Sequence, residues 1–289
     1  MTYRSIRQSI NADSPDAATR RLTRRRRAFS LIELLVVLAI IAMLAAIMIP
    51  SLRQAREQAI GVQCLNNLRQ MAIAAHSYCA AYRGRFPPHL FGSPDGTQSF
   101  GWDLIVESRW VSGTRQSRVR PGLLWQGKTV DQINRCPSYR GGDNWVAYPY
   151  TGYNYNSSYI GFCDYRAEMT GWPPKPTGRI VAAENPACAE QVRQPARTAL
   201  FGDGEYVAGA NKFMRAPFKG RDGSFSGRSA GTQGYRHRRR TNVAFSDAHA
   251  ESWSKRFTNT YDFDEPNVLP HGEVPTGFLS PDNSLYDLE

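Results

Sequence analysis

Residues 24–50, RRRRAFSLIELLVVLAIIAMLAAIMIP, constrain this chain more than any other stretch. Arg24, Arg25, Arg26 and Arg27 form a basic block. An apolar run over 29–49 follows, interrupted by one acid, Glu33, and closed by Pro50. A helix of that length rises about 31 Å at ~1.5 Å per residue, enough to cross the hydrocarbon core of a bilayer. A carboxylate inside such a run costs about 2.5–3.5 kcal/mol on insertion scales, so Glu33 needs a physical reason. A plain signal anchor explains everything except that acid. A cleaved secretory signal has a shorter apolar region, about 7–15 residues, ending at a small-x-small site. Here the small residues Ala42, Ala45 and Ala46 lie inside the run. The arginines match a twin-arginine signal only loosely, because Ala28-Phe29-Ser30 follows them.

Charge supplies an orientation. Residues 1–28 hold eight arginines (4, 7, 20, 21 and 24–27) against two aspartates (13 and 16), a net +6 of the chain's +11. The positive-inside rule then places the N-terminus in the cytoplasm and everything after Pro50 outside it. Much of the basicity is a topology signal, and a nucleic-acid partner is not expected from it. The expected product is a single-pass protein of the cytoplasmic (inner) membrane with a periplasmic or extracellular head.

The helical pattern continues beyond Pro50. Leu52, Ala55, Ala59, Val62, Leu65, Leu68, Ala72, Ala75 and Tyr82 recur at three- and four-residue steps, with Arg53, Arg56, Glu57, Gln63, Asn66, Asn67 and Arg69 on the other side. Such a stripe predicts a helix lying against a soluble domain. Gly61 is a soft point, and Gly84 with Pro87-Pro88 ends the helix. One long helix is expected, with two helices broken at Pro50 as the alternative. From Gly84 onward short apolar pieces at 122–125, 180–183, 198–201 and 242–245 read as strands between turn-rich links. The expected class is α+β: a long helix on a small, loop-rich, antiparallel-sheet head. The segments are a basic leader (1–28), a transmembrane helix (29–49), its amphipathic continuation (50–83), the head (84–260) and an acidic, proline-rich tail (261–289) read as a loop-rich extension.

Two resemblances sharpen this. The segment AFSLIELLVVLAIIAMLAAIMIP resembles the class III signal of type IV pilins and type II secretion pseudopilins. The resemblance implies cleavage between Ala28 and Phe29 by a prepilin peptidase/N-methyltransferase, which would methylate the new amine of Phe29. Ala28 stands where that family has glycine. The family's fifth-position acid falls on Glu33 and its helix-kinking proline on Pro50. Glu33 would then pair with the Phe29 amine of an adjoining subunit, because a paired carboxylate in lipid is far less costly than an isolated one. The head resembles the H-X9-DG, or DUF1559, type, abundant in planctomycetes. Its hallmarks match Asn66-Asn67-Leu68-Arg69-Gln70, Cys136-Pro137-Ser138, the stretch 150–160, the stretch 198–203, and a final set of Arg236-His237, Asn242-Val243, Phe245, Asp247 and His249. Ala248 replaces the glycine of that last motif, at a turn where φ > 0 is wanted.

The chemistry-bearing residues are few. His237, Asp247 and His249 could ligate a metal, and a strand would put Asp247 and His249 on one face. The preferred reading is structural, with Asp247 orienting His237. Calcium is conceivable at Asp203-Gly204-Glu205 or Asp262-Phe263-Asp264-Glu265, but the spacing matches no defined loop and solvated surface positions are the preferred reading. His76, His89 and His271 have no informative neighbours. Cys64 and Cys79 lie about 22 Å apart along the helix and cannot pair with each other. Outside the membrane, Cys136 is expected to pair with Cys163 or Cys188. Without a CxxC pair a cysteine metal site is not expected, and no cofactor is assigned. Arg236-His237-Arg238-Arg239-Arg240, next to Tyr235, reads as a solvated hairpin tip in preference to a single-strand binding patch. No nucleotide-binding, hydrolase or zinc-protease motif is present in the sequence, and no enzymatic activity is expected. The reading is a pilin-like structural subunit of a type II secretion or type IV pilus-like filament. The alternatives are a membrane-anchored ligand-binding module and an anchored metalloenzyme built on His237, Asp247 and His249.

Overall fold

The computed structural model describes residues 29–126, 133, 135–141, 152–171, 175–205, 211–223, 233–258 and 275–289. The chain divides into two compact units between Ser51 and Leu52. The element that opens it is a single helix, α1, Leu31–Ala81, with Pro50 inside it. No break separates two helices there. Proline lacks the N–H that would bond the carbonyl four residues back, yet the helix continues on both sides of it. The Ser51 hydroxyl donates to the Met48 carbonyl at 2.8 Å.

Beyond Ser51, α1 buries Cys64, Asn67, Leu68, Met71, Ala72, Ala75, Tyr78 and Cys79. The three- to four-residue step is as expected, but the buried face is turned from the expected one. Leu52, Val62 and Tyr82 are exposed, and Asn67, assigned to the polar side, is buried. The reason is a partner that apolarity cannot reveal: Asn67 Nδ2 donates to the Tyr153 hydroxyl at 3.2 Å.

Thirteen strands follow among the described residues: β1 (Leu90–Gly92), β2 (Gln98–Gly101), β3 (Leu104–Val111), β4 (Thr114–Pro121), β5 (Tyr153–Asn156), β6 (Asp164–Thr170), β7 (Lys175–Glu184), β8 (Ala199–Asp203), β9 (Phe213–Met214), β10 (Gln233–Gly234), β11 (Thr241–Phe245), β12 (Ala250–Trp253) and β13 (Thr276–Gly277). The expected strand at 122–125 is instead a 3₁₀ turn over Leu123–Trp125. The other three expected strands fall within or across β7, β8 and β11. Strands β1 to β4 form an antiparallel meander, β6 pairs with β7, and β10 pairs with β13. The central sheet has the order β12-β11-β8-β5-β9, antiparallel except for the β5–β9 pair. This is the α+β class, a long helix with an antiparallel-sheet head.

That central sheet is covered on both faces. Along β11, Val243 and Phe245 point to one core and Ala244 to the other, as the two-residue strand period requires. On one side Leu68, Met71, Ala72 and Ala75 of α1 meet Tyr153, Tyr155, Leu200 and Phe201. Trp102 joins them, its ring 5.3 Å from Phe201 and 5.6 Å from Tyr155. On the other side lie Met214, Phe278, Leu279, Leu285 and Tyr286. Residues 275–289 are built mostly of turns, as a loop-rich segment is expected to be, but Phe278, Leu279, Leu285 and Tyr286 among them are buried in this second core. The Leu279 N–H donates to the Tyr286 hydroxyl at 2.7 Å, and Asn156 Nδ2 donates to the Tyr286 carbonyl at 2.7 Å. Residues 259–274, with the acidic set 262–265 and His271, lie outside the described residues.

His89 sits in this framework with Nδ1 2.9 Å from the Gly161 carbonyl and its ring against Phe162 and Phe213. Burial lowers its pKa to about 4, outweighing the Gly161 hydrogen bond. Between that value and the ~6.5 of an unfolded histidine, the unfolded chain binds the extra proton. Stability therefore falls as pH drops through this window. The loss on going from pH 7 to pH 5 should be about 2 kcal/mol at most. Urea unfolding at both pH values should show it, and His89→Gln should remove that share of the pH dependence.

Candidate functional site

At the N-terminal end, Ser30 and Glu33 cap α1. Ser30 Oγ accepts the Ile32 N–H at 3.3 Å, and Glu33 Oε2 accepts the Ser30 N–H at 2.9 Å. The S-x-x-E spacing lets Glu33 reach back to the Ser30 N–H while the Ser30 hydroxyl takes the Ile32 N–H, so two N–H groups of the first helical turn are satisfied. Glu33 thus has a local role that the hydropathy of the run does not suggest. Phe29 precedes the helix and is exposed, and the apolar side chains from Leu31 to Ile49 are exposed along the helix. Among the described residues, none of that stretch is buried. Ala28 lies outside the described residues.

A second centre is built deep in the head. Cys64 comes from α1, Cys136 from the Cys136-Pro137-Ser138 turn, Asp203 from the end of β8, and His237 from the turn that leads into β11. One ligand atom from each lies within 4.8 Å of the others, and all four residues are buried. Cys64 Sγ is 3.8 Å from Cys136 Sγ and 3.1 Å from Asp203 Oδ1. Cys136 Sγ is 3.9 Å from Asp203 Oδ1 and 3.7 Å from His237 Nε2. His237 Nε2 is 3.4 Å from Asp203 Oδ2.

The local sequence explains the placement. His237 and Arg240 exchange backbone hydrogen bonds at 3.1 Å around Arg238 and Arg239, both with positive φ. That is the two-residue primed turn whose twist suits a hairpin. It leaves Arg238, Arg239 and Arg240 exposed as the expected basic tip, while His237 points inward. Tyr235, the aromatic considered for base stacking, is buried, its hydroxyl donating to backbone carbonyls of Lys255 and Phe278. Two flanking contacts orient the ligand atoms. The Asn242 N–H donates to Asp203 Oδ2 at 2.7 Å, and Ser138 Oγ lies 3.3 Å from His237 Nδ1.

Charge is concentrated here. Burial alone would pull the His237 pKa down, but Asp203 and Cys136 hold it above the usual histidine range. Burial would raise Asp203, yet His237 and Arg236 keep it ionised. Burial pushes the Cys64 thiol up, with Cys136 and Asp203 adding to it. Arg236 is buried alongside, 3.3 Å from Glu205 and stacked over Tyr139 at 5.1 Å. Glu205 is raised to about 7 by burial, against the pull of Arg236. Asp203 and Glu205 are thus interior groups, not the solvated surface positions expected. Among the described residues, a cleft of about 710 Å³ lined in part by Glu57, Ser138, Tyr235 and Arg238 reaches His237.

Two expectations are corrected. Asp247 does not orient His237. It hydrogen-bonds His249, through both the ring Nδ1 and the backbone N–H, while the carboxylate facing His237 is Asp203. A three-ligand set of His237, Asp247 and His249 is therefore not assembled. All five cysteines are free thiols, and Cys136 faces Cys64, not Cys163 or Cys188. Cys163 lies instead against His89 and the Leu90 carbonyl, and Cys188 opposes Arg85. Cys64, Asp203 and Ser138 were missed as partners of His237. A signal was available, since each lies in or beside a motif: Cys64 two residues before Asn66, Ser138 after Pro137, Asp203 closing the 198–203 stretch.

Comparison with known families agrees with the two halves of the chain. The family model described as "Protein of unknown function (DUF1559)" matches residues 53–248. The model described as "Prokaryotic N-terminal methylation motif" matches residues 23–49. No curated protein and no solved structure matches the chain.

Ala248, where the motif expects glycine, has φ +69°. An L-residue there is strained by about 1–2 kcal/mol, and glycine would relieve it. The Ala248 methyl packs on the core, and losing that contact offsets part of the gain. Ala248→Gly should raise the stability of the folded chain by about 0.5–1 kcal/mol, read as a higher denaturant midpoint at unchanged slope.

Proposed function

This chain belongs to the DUF1559 family and carries the prepilin-type methylation motif, and from that premise we propose that it is a pilin-like structural subunit, cut before Phe29, methylated there, and assembled through its N-terminal helix. The observation that carries the reading is the helical stretch after Phe29. It is long enough to cross a bilayer, none of it is buried among the described residues, and one acid lies near its start. An apolar helix with no intramolecular cover is stable only in lipid or against other helices. A membrane supplies the first environment, and a bundle of like subunits supplies the second. The chemistry performed on the chain is peptide hydrolysis on the cytoplasmic side and N-methylation of Phe29 by a prepilin peptidase acting in trans. Residues 24–27 on the near side of the cut favour that orientation.

Glu33 is the assembly residue in this reading. Before cleavage it satisfies the Ser30 N–H. After cleavage, the Phe29 amine of an adjoining copy gives it a charged partner in lipid, where an unpaired carboxylate is costly. The product is a short filament of the type II secretion or type IV pilus kind, in the inner membrane with the head outside. A head that captured ligand without polymerising would leave Glu33 with its capping role alone.

Mass spectrometry of the N-terminus of membrane-extracted protein should find N-methylphenylalanine from Phe29. A chain that still begins at Met1 would overturn the reading. Charge and capping at Glu33 can be separated, because glutamine also serves in the S-x-x-E arrangement. Glu33→Gln and Glu33→Leu should both insert into membranes, and both should lose most subunit-to-subunit cross-linking. Cross-linking of Glu33→Gln at the native level would reduce Glu33 to a cap.

A further inference from the structure

We propose that Cys64, Cys136, Asp203 and His237 form a closed four-ligand site for a zinc-like divalent metal ion, holding the lower part of α1 to the head. The site is independent of filament assembly, since all four ligands belong to residues 52–289.

The geometry fits the ion. With Zn–S near ~2.3 Å and Zn–N or Zn–O near ~2.0–2.1 Å, the edges of a tetrahedron fall at roughly 3.3–3.8 Å. The two sulfurs lie 3.8 Å from each other and 3.1 and 3.9 Å from Asp203 Oδ1, Cys136 Sγ lies 3.7 Å from His237 Nε2, and one atom from each of the four residues lies within 4.8 Å of the others. The sulfur-to-sulfur edge, 3.8 Å, agrees with those values, and the Asp203 carboxylate reaches the sulfurs through Oδ1 and His237 Nε2 through Oδ2 at 3.4 Å. The donor set of two thiols, one imidazole and one carboxylate is of the kind zinc takes. Flanking contacts also match. The second nitrogen of a ligating histidine is normally held by a polar partner, and Ser138 stands at Nδ1. Asp203 Oδ2, the oxygen nearer His237, is held by the Asn242 N–H, and Oδ1 faces the two sulfurs. Two thiolates and a carboxylate outweigh a dication by one negative charge, and the buried Arg236 lies beside them.

Two other chemistries fit less well. In a nucleophilic Cys-His-Asp arrangement the carboxylate and the thiol occupy opposite nitrogens of the imidazole. Here both converge on Nε2, leaving Nδ1 to Ser138. A disulfide needs sulfurs about 2.05 Å apart, whereas Cys64 and Cys136 are separated by 3.8 Å, with Asp203 Oδ1 against both. Four protein ligands leave no open position, so the ion's role is structural. It ties together segments 72, 67 and 34 positions apart in sequence, closures that an unfolded chain must otherwise make at an entropic cost.

The test uses the full-length, detergent-extracted protein purified without chelators or added reductant. Elemental analysis should find one zinc ion per chain. Chelation under denaturing conditions, followed by refolding with Co²⁺ alone, should give thiolate-to-cobalt charge-transfer absorption and a spectrum of tetrahedral cobalt. The unfolding midpoint should fall on metal removal and return with Zn²⁺. Cys64→Ser and His237→Ala should each lose stoichiometric zinc, while Cys188→Ser should keep it. Should the variants fail to fold, the cobalt cycle on the native chain decides alone. A Cys64–Cys136 disulfide in the native peptide map, or no stoichiometric metal after exposure to Zn²⁺, overturns the proposal.

Discussion

The fold of the head rests on one contact surface, the face of α1 from Cys64 to Cys79 laid on the β5–β8–β11 sheet. Leu68, Met71, Ala72 and Ala75 give it apolar area, and their small or flexible side chains let the helix approach Tyr153, Tyr155, Leu200 and Phe201 closely. At roughly 25 cal/mol per Å² of apolar surface, a face of this size outweighs any single polar contact in the head. The polar contacts fix its register. Cys64 meets Asp203, Asn67 meets the Tyr153 hydroxyl, and His76 Nε2 lies 2.6 Å from the Ser246 carbonyl. Sliding the helix by one turn would strand these groups, at a cost of about 1–3 kcal/mol for each that is buried, Cys64 and Asn67.

The same reasoning accounts for the interior charges. The side chains of Asp203, Arg236 and His237 are buried close together, and an unbalanced charge at that depth is strongly destabilising. Each has a specified partner. Arg236 donates to the carbonyls of Gly152 and Gly204 and pairs with Glu205. Asp203 takes the Asn242 N–H and faces His237. Elsewhere the head uses the device in simpler form: Arg215 and Asp222 pair at 3.0 Å, with the Ser158 hydroxyl donating to the same carboxylate oxygen. A polar core of this kind is tolerable only when its members are satisfied together, which ties distant strands into one cooperative unit.

Some features were legible residue by residue, and others were not. The three-to-four spacing after Pro50 marked a helix correctly, yet its phase was misjudged because Asn67 was weighed by polarity, not by partner. Strands around 180–183, 198–201 and 242–245 carried their own β-branched and aromatic signals. Leu123, Leu124 and Trp125 carried the same apolarity and formed a 3₁₀ turn, which a window of three or four residues cannot distinguish from a strand. The proline-bearing tail was read by composition as an extension. Its Phe278, Leu285 and Tyr286 were in the sequence all along, but only the open face of the sheet gives them somewhere to go. Asp247 and His237 share a motif and were linked through it. Spacing along the chain says nothing about which carboxylate meets an imidazole across a sheet.

The sequence by itself determined the long helix, its apolar first half, the acid at Glu33 and the N-terminal methylation motif over residues 23–49. Those are properties of contiguous residues, governed by hydropathy, charge and local capping. Tertiary structure alone decided that Cys64, Cys136, Asp203 and His237 share one centre, that Asp247 and His249 pair with each other, and that the last residues close the second face of the sheet. Those depend on which strand lies beside which. Strand order is set by packing both faces of a sheet at once, a constraint that no local stretch of residues contains.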